Sequence, residues 1–290
     1  MKTYSEFCTA LTKQLFDVIE KNGSLLAWHK KWDSAGCLKL PVGAGGIYHG
    51  SNLLMLFFSQ HEEGYKSNQW LTFNQIKQRG GCVKKGAKGR DVYFWKLLNN
   101  KKMVDGEEIS TTAPLLKSYY VFNLDQTTLD ESALDALMFS SHDVDALIQS
   151  LGVTISHFGG KSYYSPADDV IVLPEQKYFT SEQHYYAVLL HELVHWTGGR
   201  TDRLPRDCFD NYARSEKDRA QEELIAEVGA LFLSSHFGLQ AELEHHASYV
   251  QSWKTLLSEK EIMVAVTKAM KAFEWILNRV SAIEMEKAAA

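Results

Sequence analysis

His191-Glu192-Leu193-Val194-His195 stands near the end of an apolar run that begins at Tyr185. Histidines at i and i+4 lie on one face of a helix, close enough for both imidazoles to hold one metal ion, and the glutamate beside the first is placed to act on water at that ion. The flanking residues predict the helix that this arrangement needs. Thr180-Ser181-Glu182-Gln183 reads as a capping box, Tyr185, Tyr186, Val188, Leu189, Leu190, Leu193 and Val194 supply buried packing, and Gly198-Gly199 form the stop. Downstream, Glu222-Glu223-Leu224-Ile225-Ala226-Glu227-Val228-Gly229-Ala230-Leu231-Phe232-Leu233 reads as a second amphipathic helix with carboxylates four apart. Glu223 completes a His-His-Glu ligand set, and Glu227, one turn on, is placed to take the N–H of a ligating imidazole from behind. A helix with a solvated acidic edge and two satisfied core histidines is the plainer alternative. Helix, cap, stop and third ligand agree with one another, which favours a divalent metal, with Zn2+ the usual occupant of such a set.

The chain has 290 residues, 45% hydrophobic and 12% aromatic, enough for two domains with their own cores. No apolar run approaches a membrane span, and Met1-Lys2-Thr3-Tyr4-Ser5 leads into an amphipathic helix without a signal-like apolar region. Cys8, Cys37, Cys82 and Cys208 are scattered with no C-x-x-C pair, and read as reduced thiols of a cytoplasmic protein. The net charge of −5 hides an asymmetry. Residues 1–120 carry 17 Lys+Arg against 10 Asp+Glu, whereas the rest of the chain carries 14 against 26. A basic half of that size suggests a polyanionic partner, and nucleic acid is the commonest in the cytosol.

Within the basic half, Thr3-Tyr4-Ser5-Glu6 caps a first helix to about Lys21, with Phe7, Leu11, Leu15, Phe16 and Ile19 as its apolar stripe. Trp28-His29-Lys30-Lys31-Trp32 interleaves aromatic and basic residues in a loop, and Leu53–Phe58 is a short buried helix. Trp70-Leu71-Thr72-Phe73 opens a short helix with Thr72 as its cap. Lys84-Lys85-Gly86-Ala87-Lys88-Gly89-Arg90 is a basic turn before a strand at Asp91–Lys96, and a second strand runs over Ser118–Asn123. Residues 99–114 between them read as a polar, irregular and exposed hairpin excursion. Bases stack on aromatic side chains while lysines follow the phosphates, so basic turns joined to aromatic strands suit a binder of single strands. The candidates for nucleic-acid contact are Trp70, Phe73, Lys84, Lys85, Lys88, Arg90 and Tyr93; for any one aromatic taken singly, a place in the core is the plainer reading. No sequence-reading helix or zinc finger is evident.

Beyond Asp125 the chain turns acidic and helical. The boundary is placed there, giving a DNA-binding domain over residues 1–130 and a metal-binding domain over 131–290. Val170-Ile171-Val172-Leu173 forms a strand just before the histidine-bearing helix, and a long helix from about Glu259 to Glu286 closes the chain. His236, His245 and His246 are read as core or solvated histidines. The expected class is α+β: a small antiparallel sheet with helices in the first domain, and a mostly helical second domain with a small sheet.

In order along the chain, Trp70-Leu71-Thr72-Phe73 with Lys85-Gly86, Tyr120-Val121-Phe122-Asn123, Ile171-Val172-Leu173-Pro174, His191-Glu192-Leu193-Val194-His195-Trp196-Thr197-Gly198 and Glu222-Glu223-Leu224-Ile225-Ala226-Glu227 resemble the plasmid anti-restriction ArdC family over roughly residues 4–280. The resemblance implies an N-terminal single-stranded-DNA-binding domain, shared with plasmid primases of the TraC type, and a C-terminal zincin-like metallopeptidase domain. It also implies protection of incoming conjugative DNA from host restriction. By match, His191, His195 and Glu223 are ligands and Glu192 the catalytic carboxylate. In a zincin a substrate chain pairs with an edge strand above the metal, the part expected here of Val170–Leu173. Two functional readings follow: a metallopeptidase recruited to single-stranded DNA, with a host restriction-system protein as peptide substrate, or a DNA-binding protector whose metal domain cleaves nothing. Tyr212 is the candidate oxyanion donor, and the loop Arg200–Arg206 carries no assigned role.

Overall fold

The apolar stripe Phe7, Leu11, Leu15 and Phe16 is the buried face of α1 (Tyr4–Asn22). In this computed structural model the described residues are 4–22, 39–104, 107–129, 141–201, 203, 215–239 and 255–289. The segment Trp28–Trp32, Tyr212, His245 and His246 lie outside them. A two-stranded ribbon, β1 (Val42–Gly43) with β2 (Gly46–Ile47), precedes α2 (Gly50–Glu62). That helix is longer than its apolar run because polar Gln60 and His61 are also buried.

Trp70–Thr72 is a strand, β3, rather than the start of a helix. The chain turns helical only after Thr72, whose hydroxyl accepts from the Gln75 N–H while Gln75 Oε1 accepts from the Thr72 N–H, a reciprocal cap on α3 (Phe73–Gln78). β3 pairs antiparallel with β5 (Glu107–Asn123), and β5 with β4 (Arg90–Val104), giving the order β3-β5-β4. The expected hairpin over 99–114 is there, but it is regularly paired out to Val104↔Glu107 rather than irregular. A polar stretch looks like a loop to a hydropathy reading, but backbone pairing needs no apolar sequence. The Asp105-Gly106 dipeptide between the paired ends is a strong hairpin signal.

The second half begins with α4 (Ser141–Leu151) and β6 (Thr154–His157), β7 (Tyr163–Ser165) and β8 (Val170–Leu173). Their order is β6-β8-β7, parallel between β6 and β8 and antiparallel between β7 and β8. Val170–Leu173 is therefore a central strand and not the expected edge. Both its neighbours are poor in apolar residues, and β6 went unread in the sequence for that reason. Among the described residues three helices follow: α5 (Glu182–Trp196), α6 (Glu216–His236) and α7 (Glu259–Ala289). The cap of α5 is Ser181, which accepts from the His184 N–H, one residue later than the Thr180 box predicted. Thr180 Oγ1 is engaged by His184 Nδ1 instead, at 2.8 Å.

One apolar cluster runs through both halves, joining Phe7 and Leu15 of α1, Leu53 and Phe57 of α2, Leu193 of α5, Phe232 of α6 and Phe273 of α7. Separate small clusters seal the first sheet: Leu56, Trp70, Val92 and Val121 on one side, Leu71, Ile76 and Leu124 on the other. The architecture is mixed α+β, and among the described residues no helix is long and apolar enough to cross a membrane.

Candidate functional site

α5 and α6 lie against each other at Gly229, where a Cβ would stand 2.8 Å from Val194 Cγ2. This close approach brings the side chains of the two helices together. His191 and Glu192 are buried on α5, and Glu222 and Glu227 on α6. Glu223 Oε2 lies 3.5 Å from His191 Nε2 and 3.8 Å from His195 Nε2. The three donor atoms fall within 4.8 Å of one another. Metal–ligand bonds of about 2.0–2.1 Å place tetrahedral donors roughly 3.3–3.5 Å apart, so two imidazoles and a carboxylate at these separations fit a divalent ion.

The electrostatics agree with the geometry. Burial by itself would make the His195 imidazole less basic, but its contacts with Glu222 and Glu223 outweigh that and push its pKa up to about 10. Burial likewise opposes the charge on Glu223, and its contacts with His191 and His195 prevail, holding its carboxyl well below the usual carboxylate range. A proton on His195 is thus held against the Glu223 carboxylate, and a divalent ion can take that proton's place between them.

Glu227 Oε2 is 3.9 Å from His191 Nδ1, behind the ring as the sequence indicates but beyond hydrogen-bond length. Sequence reasoning missed the corresponding carboxylate for the other imidazole: Glu222 Oε1 is 3.2 Å from His195 Nδ1. It also missed Arg203, in the loop without assigned role. Arg203 Nε donates to Glu222 Oε2 at 3.0 Å and its NH2 to Oε1 at 2.6 Å, while NH1 reaches Thr197 Oγ1 at 3.0 Å and NH2 the Val194 carbonyl at 2.7 Å. The signal available was an arginine a few residues beyond the helix stop, which no periodicity marks.

The nucleic-acid candidates divide. Trp70 is fully buried with Leu56, Val92 and Val121, and Tyr93 is buried against Phe7 with ring centroids 4.6 Å apart, so neither can stack on a base. Trp70 lies on the face of the sheet that packs on Leu56 of α2, and Tyr93, on the other face by the strand register, packs against Phe7 of α1. Phe73 is 56% exposed, and Lys84, Lys85 and Lys88 are exposed. Lys84 Nζ donates to the Asp125 carbonyl at 2.9 Å, and Arg90 pairs with Glu63 at 2.6 Å, which occupies its guanidinium. Among the described residues of the first half, the exposed aromatics missing from the candidate set are Phe94, Tyr119 and Tyr120, with Phe94 and Tyr119 in edge contact at 5.4 Å. Gly89 joins Tyr120 to the basic turn: a Cβ there would lie 3.2 Å from Tyr120 Cβ and 3.0 Å from the Phe122 ring.

Residues 142–270 match the domain family described as zincin-like metallopeptidase, MPTase-PolyVal, which defines the class of the second half. Residues 4–122 match the N-terminal domain of anti-restriction factor ArdC. The crystal structure of the antirestriction ArdC protein from plasmid R388, in its metal-free form, is 31% identical, with a TM-score of 0.74 over 95% of this chain and 98% of that one. The Mn(II)-bound form gives 32% and 0.73 over 94% and 97%. The chain belongs to the ArdC antirestriction family. Protein y4eC of Sinorhizobium fredii is 29% identical over 288 residues, 95% of this chain and 92% of that protein. The DNA primase TraC of Escherichia coli is 29% identical over 277 residues, and the match spans 86% of this chain but only 18% of the primase.

Proposed function

We propose that this protein protects plasmid DNA from restriction by binding it as a single strand and by hydrolysing a peptide bond in a host restriction-system protein. The observation that carries the reading is the convergence of His191, His195 and Glu223 within 4.8 Å, with Glu192 buried next to the first ligand. We assign Zn2+ to this set on its donor chemistry, and the Mn(II) held by the R388 relative is consistent with a divalent ion. Bound there, the ion supplies a Lewis acid that polarises the peptide carbonyl and acidifies water. Glu192 takes the proton of the attacking water and delivers it to the leaving amine. Glu227 steadies His191 from behind. On the other half, Phe73, Phe94, Tyr119 and Tyr120 stack on bases while Lys84, Lys85 and Lys88 track the phosphates. We assign DNA binding to residues 1–130 and the metal site to 131–290, two functions resting on a shared core. A cytoplasmic location suits the free thiols of Cys8 and Cys82.

The test is Glu192→Gln. Loss of a general base costs a factor of about 10² to 10⁴ in rate. The variant should keep its metal and its DNA affinity, and lose both cleavage of the host protein and protection of DNA entering a restricting recipient. Full protection by metal-loaded Glu192→Gln protein would show that occupancy of the strand, not cleavage, does the protecting.

A further inference from the structure

We infer that Arg203 and Glu222 form a positioning pair for the metal centre, Arg203 locking Glu222 and Glu222 turning His195 so that its Nε2 faces the ion. The inference rests on the metal assignment above. Glu222 and Glu223 are neighbours in sequence yet approach one imidazole from two sides, Glu222 at Nδ1 and Glu223 at Nε2. A ring nitrogen held against a carboxylate is the protonated one, which leaves the lone pair of the other nitrogen free to bind metal. A carboxylate as buried as Glu222, whose side chain is 2% exposed, needs a counter-charge, and the Arg203 side chain, also 2% exposed, supplies it through both oxygens.

The remaining Arg203 donors end on Val194 O and Thr197 Oγ1, on either side of His195. The Val194 carbonyl belongs to the last turn of α5, where the helix dipole is negative, and it also accepts from the Thr197 N–H at 3.1 Å and the Thr197 hydroxyl at 2.6 Å. One guanidinium therefore ties the turn that carries His195 to the α6 carboxylate that orients it. At His191 the matching carboxylate, Glu227, stands 3.9 Å from Nδ1, a longer approach than the 3.2 Å of Glu222 to His195. Lysine could replace the charge but not the fork of donors.

The experiment uses the full-length protein stripped with a chelator and titrated with Zn2+ against a chromophoric competitor, with Co2+ absorption spectra read in parallel. Glu222→Gln should bind Zn2+ about 10- to 100-fold more weakly than wild type, with an altered Co2+ spectrum and unchanged single-strand affinity. A folded Glu222→Gln with wild-type Zn2+ affinity and Co2+ spectrum overturns the inference. Should Glu222→Gln not fold, Arg203→Lys decides on the same measurement: weaker Zn2+ binding supports the pair, and an unchanged Kd removes it. His191→Ala separates the two claims. If wild type binds Zn2+ no better than His191→Ala, the metal assignment itself falls; if only His191→Ala loses metal, the ligand set stands and the positioning role fails.

Discussion

Gly229→Ala tests the packing on which the site is built. An alanine Cβ would stand 2.8 and 3.0 Å from the two methyls of Val194, against an ordinary carbon contact of about 3.5–4.0 Å. Val194 is fully buried and β-branched, so it has little rotameric escape, and the two helices must separate by roughly 0.7–1 Å. Overpacking of this kind costs about 1–3 kcal/mol, and the helix preference of alanine over glycine returns about 1 kcal/mol. The net expectation is a loss of about 1 kcal/mol, a fall of about 2–4 °C in the melting temperature of the chelator-treated protein. The second effect is more specific. Gly229 is two turns from Glu222 on the same side of α6, so separation there lengthens the 3.2 Å approach of Glu222 to His195 and weakens Zn2+ binding. Thermal melts with and without chelator, together with Zn2+ titration, measure both. A variant that melts above wild type and binds Zn2+ equally well would refute the reasoning, because helix preference would then outweigh a packing that has slack.

Tyr120→Ala should weaken single-strand binding by about 1–3 kcal/mol, and Lys85→Ala with Lys88→Ala should flatten the log–log salt slope by about 0.7 for each phosphate no longer neutralised; fluorescence anisotropy at several salt concentrations reads both, and unchanged values would move the DNA face elsewhere. Trp70→Ala should act on stability rather than on stacking, costing about 3–5 kcal/mol in denaturant unfolding, and a fully stable variant with impaired DNA binding would reverse that assignment. The pH dependence follows from His195. Its folded pKa of about 10 lies above the ordinary 6.5, so in the metal-free protein its stabilising contribution is complete below about pH 6.5 and is lost as pH climbs through 10. Melting temperatures in chelator should fall across that window in wild type and less in His195→Gln; equal slopes would contradict the assignment.

The candidate metal centre was legible in the sequence because its logic is local. His191 and His195 share a helix face by periodicity alone, Glu223 and Glu227 share another, and the apolar residues around each fix which face turns inward. The helices, and the strands at Asp91–Lys96, Ser118–Asn123 and Val170–Leu173, follow from the same short-range patterns, although the polar ribbon beyond Lys96 does not.

What periodicity cannot report is which element lies beside which. Trp70 and Phe73 are three residues apart and equally aromatic, yet α2 covers one and leaves the other open, so only the tertiary structure separates core from exposed face. Val170–Leu173 looks the same in sequence at an edge or at the centre, and β6 decides the matter from 16 residues away. Arg203 reaches Glu222 across 19 residues of chain. The sequence determined which side chains are candidates for the metal site, since covalent spacing along a helix sets the reach of residues on one face. Folding decided which carboxylate faces which imidazole and which aromatics remain exposed, since those depend on contacts between segments that no local pattern encodes.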